Sequence, residues 1–226
     1  MRQDQMANFF RRYGMPVIAL VVIGLAALGG YLWWDHSSRQ AVGESSEKLV
    51  VAIDSLEAGN LGAADKQLQP LAEEGGTANA VAASLLRAGI AMEQNRSKDA
   101  IAIYKSVAAD TDAPQPYRDL ATVREVAAGF DSMEPQQVID KLQPLAKPGN
   151  PWFGVAGELV GIAYLKQGKD KLAGPLFAQI SRDEDSPESL RRRARQMAGL
   201  LGVDAIDDVD EIAKANAPDA PEAAAQ

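Results

Sequence analysis

Residues 161–177 read GIAYLKQGKDKLAGPLF. The apolar positions recur at helical spacing on both sides of Gly168, which supplies a turn. On two antiparallel helices joined there, the small residues Gly161 and Ala173 let the backbones approach closely. Tyr164 and Phe177 are then placed to fill the space between neighbouring helices. Residues 89–104, GIAMEQNRSKDAIAIY, repeat the scheme with Gly89, Met92, Ala100 and Tyr104 and a turn one residue shorter.

Two further echoes set the period. Gly89-Ile90-Ala91 returns as Gly161-Ile162-Ala163, 72 positions on, and QLQPLA at 67–72 returns as KLQPLA at 141–146, 74 positions on. Both separations are about twice 36 or 37. A period near that length with two helices per unit marks an α-solenoid, because one helix pair cannot bury its own apolar face and must stack on a neighbour. The pattern resembles tetratricopeptide repeats, in degenerate form. The units built on Leu68 and Leu142 fit only as helix pairs, without the small and aromatic marker residues. Leu68, Leu71, Leu142 and Leu145 are expected to be seam residues, with Pro70 and Pro144 bending each helix near its end.

Composition agrees with an all-α class. Hydrophobic residues make up 46% of the 226, and aromatics only 6%. Alanine and leucine, strong helix formers, dominate the apolar fraction. Helices are expected over about 40–58, 62–74, 78–94, 98–109, 115–130, 135–146, 152–167, 170–182 and 187–201. Gly, Asn, Asp and Pro fill the breaks, and Ser186-Pro187 reads as an N-cap followed by proline at the first helical position. No alternating apolar run suggests a sheet.

One stretch does not suit water. PVIALVVIGLAALGGYLWW, residues 16–34, carries no charge. As a helix it spans roughly 28 Å, close to the hydrocarbon thickness of a bilayer. It closes on Tyr31, Trp33 and Trp34, rings that favour the headgroup region, and Arg11 and Arg12 precede it. The positive-inside bias puts residues 1–15 in the cytoplasm and the rest across the membrane. A cleaved signal peptide is the competing reading, but the bulky aromatic end suits an anchor better.

The domain plan is thus a cytoplasmic tail (1–15), a transmembrane helix (16–34), a helical-repeat domain (35–203) and an acidic Ala/Pro-rich tail (204–226). Phe9-Phe10 before the anchor, the Gly-rich aromatic-ended span, Gly149-Asn150-Pro151-Trp152 opening a helix, and Gly161 through Ala173 together resemble the ancillary SecYEG translocon subunit family. The resemblance implies a bacterial inner-membrane protein with a periplasmic repeat domain. It also implies attachment to the secretion channel and contact with periplasmic chaperones. The tail from about Asp207 lies outside that pattern. It lacks the apolar content to fold and is expected to be disordered.

No catalytic constellation is legible. The chain has one histidine, His36, and no cysteine. It has no G-x-S-x-G elbow and no phosphate loop after a strand. No cofactor or metal is expected, and the chain reads as a non-enzyme. A formal net charge of −8 disfavours nucleic acid.

Protein binding is the remaining class, and two groups are candidates for it. Trp152 and Phe153, after a proline at a helix start, are either partner anchors or a core staple. Arg191, Arg192 and Arg195, with Arg193, form a basic cluster: an exposed helix face, a dock for an acidic partner, or a surface for anionic lipid. The leading function is an adaptor for the secretion machinery and its chaperones. The alternative is a scaffold for another envelope process, such as cell division or peptidoglycan assembly. Oligomeric state is left open.

Overall fold

A computed structural model of the chain describes residues 43–75 and 77–203. The expected membrane span at 16–34, both tails and His36 lie outside them. Among the described residues no helix is long and apolar enough to cross a membrane. These residues form nine helices and no strand. The first, α1, covers 43–57. It is followed by α2 (Leu61–Glu73), α3 (Ala78–Glu93), α4 (Ser97–Ala109), α5 (Gln115–Gly129) and α6 (Pro135–Leu142). Then come α7 (Phe153–Lys166), α8 (Asp170–Arg182) and α9 (Glu188–Leu200). The described chain divides into two compact units, one up to Leu71 and one from Ala72 onward.

The repeat is written in the turns. Gly59, Asn95, Gly168 and Gly202 all take positive φ, at 74°, 59°, 68° and 72°. At each, the N–H of that residue donates three positions back and the N–H of the next residue donates five positions back. The second bonds are Asn60 to Ser55, Arg96 to Ala91, Lys169 to Tyr164 and Val203 to Ala198, at 2.7–2.9 Å. This pairing satisfies carbonyls that a helix end leaves bare, and it needs a left-handed residue, which glycine and asparagine supply most readily.

Counted from these turns, the packing positions fall into register. Seven residues before stand Ala52, Ala88 and Gly161. Five after stand Ala64, Ala100 and Ala173, each 0% exposed, and nine after stand Leu68, Tyr104 and Phe177, all buried. Two sequence expectations change as a result. The α1–α2 hairpin does carry the marker pattern, with Leu68 in the aromatic position. And the small residue of α3 that faces α4 is Ala88, not Gly89. A Cβ added at Gly89 would meet nothing within 4 Å. The α5–α6 hairpin follows the same plan with larger residues, Val126, Val138 and Leu142, all buried. Its turn has no left-handed residue.

Within the second unit, α3 to α9 pack in sequence order. One core cluster joins Val123 and Val126 of α5, Val138, Ile139 and Leu142 of α6, and Ala156 and Val160 of α7. The next joins Phe153, Phe177, Ile180, Leu190 and Ala194 across α7, α8 and α9. Burying a side chain as large as Phe177 contributes about 1.5–3 kcal/mol. Helix α7 is drawn unusually close to its neighbours. A Cβ at Gly154 would lie 2.8 Å from Leu190 Cδ2, one at Gly157 2.9 Å from Ile180 Cδ1, and one at Gly161 2.6 Å from Phe177 Cζ.

Two local differences from the sequence reading have simple causes. Helix α6 stops at Leu142 instead of 146 because Pro144 has no N–H to continue the ladder. Pro144 therefore lies beyond the helix, whereas Pro70 lies inside α2. Helix α9 begins at Glu188 with Pro187 at the cap. The Ser186 hydroxyl bonds the Asp183 carboxylate instead of capping α9.

Polar contacts tie the hairpins together. Glu125 is buried on α5 and receives Lys141 of α6 at 2.9 and 3.0 Å. Lys166, at the end of α7, sits 4.3 Å from the Phe130 ring centroid and 3.6 Å from Asp131. It thereby ties α7 to the α5–α6 turn, through a cation–π contact and a weak ion pair.

Candidate functional site

The misplaced glycine opens the site. Helices α3 and α5 each lead a hairpin and touch one another. Because Ala88 takes the packing position, Gly89 is turned about one residue away from α4, toward α5. Between the two helices lies a groove of about 500 Å³. Its α3 wall is Gly89, Met92 and Glu93, its α5 wall is Arg124, Ala127 and Ala128, and Tyr104 of α4 forms the floor. Three of these seven residues have a hydrogen or a methyl for a side chain, so the backbones themselves line the space.

The polar groups are few and convergent. Tyr104 is 5% exposed. Burial pushes its phenol above the usual value of 10.0, and the charge of nearby Arg124 pulls the other way. Arg124 is exposed and forms no ion pair among the described residues. Glu93 on the opposite wall is likewise exposed. A planar guanidinium offers several donors and no acceptor. Beside a phenol, between walls of small residues, it can hold carboxylate or carbonyl oxygens of a chain laid between the helices. Met92 adds an adaptable apolar contact. The groove holds no pairing of nucleophile and base, and among the described residues no group of acidic and histidine side chains is placed to hold a metal ion.

The residues singled out in the sequence are dispersed. Ala100, Tyr104, Gly161, Ala173 and Phe177 occupy packing positions, and Gly168 makes the turn. Tyr164 is half-buried and touches the core clusters on both sides of α7. Phe153 is 2% exposed and belongs to the core, not to a surface. Trp152 is half-buried against the α5–α7 cluster, and its backbone N–H donates to the Asn150 side chain at 2.8 Å.

The arginines of α9 do not act as one patch. Arg192 reaches Glu188 at 3.6 Å. Arg193 makes a two-pronged pair with Glu158 of α7 at 2.9 Å, which raises its pKa through hydrogen bonding and charge. Arg195 is exposed and Arg191 half-buried, one turn apart. Glu93, Arg124, Ala127 and Ala128 were missed in the sequence reading. The signal that pointed toward them was Gly89, a helical glycine one residue out of the turn register.

Compared with known families, residues 7–194 match the profile described as a tetratricopeptide repeat-like domain. None of the curated proteins and none of the solved structures matches the chain.

Proposed function

Because this chain belongs to the tetratricopeptide repeat-like domain family, whose repeats mediate protein–protein contacts, we propose that it is a membrane-tethered adaptor. It presents the α3–α5 groove to a protein partner. The observation that carries this reading is the groove itself: two helix walls left open by small side chains, a buried phenol below, and an exposed Arg124 with no ion pair among the described residues. Open grooves between stacked helix pairs suit extended or helical segments.

The uncharged run at 16–34 supports an inner-membrane tether, with the N-terminus cytoplasmic and the repeats periplasmic. The likeness in overall plan to the ancillary SecYEG translocon subunit family supports secretion-channel subunits and periplasmic chaperones as the partners.

The test is site-specific photocrosslinking from position 92 or 127 of the full-length chain in native membranes. Recovery of channel subunits or chaperones, lost in Arg124→Glu, is the expected result. Recovery solely of cell-division or peptidoglycan-assembly proteins would move the adaptor to another envelope process. Crosslinks unaffected by Arg124→Glu would remove the groove from the reading.

A further inference from the structure

Helix α8 bears two apolar stripes. Ala173, Phe177 and Ile180 are buried in the core. Leu172, Pro175 and Leu176 form a neighbouring stripe, at i, i+3 and i+4. Leu172 is 51% exposed, Pro175 is exposed and Leu176 is half-buried. This second stripe lines a groove of about 360 Å³. Helices α6 and α8 each close a hairpin, and both pack on α7 but not on one another. The floor between them is therefore α7, through Val160 and Tyr164, and the far wall is formed just past α6 by Gln143 and Ala146. The α3–α5 groove, by contrast, lies between helices that lead hairpins.

The polar groups of this groove are all uncommitted. Gln143, Lys171 and Gln179 line it and are exposed. None of the three side chains makes a hydrogen bond or ion pair among the described residues. The backbone adds a further acceptor. Pro175 lies inside α8 and has no N–H to donate to the Lys171 carbonyl. The proline is exposed, so it does not serve the core. No acidic side chain stands among the described residues that line the groove, in a chain whose net charge is −8. Its single charge is the Lys171 ammonium.

We propose that this groove is a second protein-binding site, independent of the α3–α5 groove, and that it takes an extended segment carrying an acidic residue beside an apolar one. The apolar side chain covers Leu172 and Leu176. The carboxylate pairs with Lys171, which no acidic neighbour competes for. The carboxamides of Gln143 and Gln179 each offer a donor and an acceptor, the complement of a peptide group. The Lys171 carbonyl accepts from a main-chain N–H of the segment, in place of the bond that Pro175 removes. Charge complementarity favours this occupant over a basic segment.

Selection from a phage library of random peptides tests this, on the full-length chain in detergent micelles and on its Arg124→Glu variant, in which the α3–α5 groove is disabled. Peptides with an acidic residue next to an apolar one are expected from both chains, with dissociation constants that Arg124→Glu leaves unchanged. Lys171→Glu is expected to weaken them at least about fivefold and Leu172→Asp about tenfold. Both side chains are exposed, so thermal midpoints stay at the wild-type value. Pro175→Ala returns an N–H to the Lys171 carbonyl, and is expected to raise the midpoint while binding falls. A selection yielding no peptide that depends on Lys171 and Leu172 would overturn the proposal. So would peptides that lose binding in Arg124→Glu alone, since they occupy the other groove. A dimer in light scattering that Leu172→Asp dissolves would give the surface to a second copy of the chain, and would overturn it as well.

Discussion

Phe177 Cζ lies 2.6 Å from where a Cβ on Gly161 would stand, and two more ring carbons lie within 3.0 Å. The ring is 0% exposed and enclosed by α7, α8 and α9, so it has no free space into which to turn. Gly161→Ala is therefore expected to cost about 1–3 kcal/mol through overpacking, despite the better helix propensity of alanine. In a chain of this size that lowers the thermal midpoint by roughly 2–4 °C per kcal/mol, readable by calorimetry. An unchanged midpoint would mean that α8 shifts freely on α7.

Gly89 gives the opposite result. It lies inside α3, with nothing within 4 Å of its Cβ position. Gly89→Ala is expected to raise stability by about 0.5–1 kcal/mol, because the unfolded chain loses freedom and no atom is displaced. The same methyl narrows the groove, so partner capture is expected to fall while the denaturation midpoint rises. A fall in both would return Gly89 to the packing seam.

That contrast shows what the sequence made legible. Helix pairs, their period and the seam leucines follow from short-range spacing, which the chain states openly. The error at Gly89 came from aligning two GIA triplets 72 residues apart, whereas Asn95 and Gly168 set the packing register at 73. An asparagine in a left-handed turn looks like any polar loop residue. The α1–α2 hairpin hid its pattern because Ala52 and Ala64 are ordinary in an alanine-rich chain and Leu68 is not aromatic. Gly154 and Gly157 precede Gly161 at helical spacing and were readable in principle. The groove was not readable, since it joins residues from α3, α4 and α5 and is formed by side chains that are small.

Asn95 tests the turn chemistry directly. Among the described residues it is the non-glycine residue at positive φ, 59°, where the three matching turns use glycine. Asn95→Ala is expected to cost about 1–2 kcal/mol, the steric cost of a Cβ in the left-handed region without asparagine's local hydrogen bonding. Asn95→Gly is expected to be neutral or slightly stabilising. Urea midpoints for the two variants check this, and equal midpoints would mean that the α3–α4 turn rearranges.

Tyr104 supplies a pH-dependent readout of the groove floor. Burial raises its phenol pKa above 10.0, and Arg124 opposes that rise without cancelling it. The folded chain therefore holds a proton that the unfolded chain releases from an exposed tyrosine. The stability tied to that proton is fully present below pH 10 and is lost as pH climbs through the folded value. Unfolding midpoints measured at about pH 9 and about pH 11 are expected to fall further in the wild-type chain than in Tyr104→Phe. Arg124→Gln removes the opposing charge, pushes the phenol higher still and widens the difference. Equal falls in the wild-type chain and Tyr104→Phe would show a phenol that water reaches freely, and a groove with no dry floor.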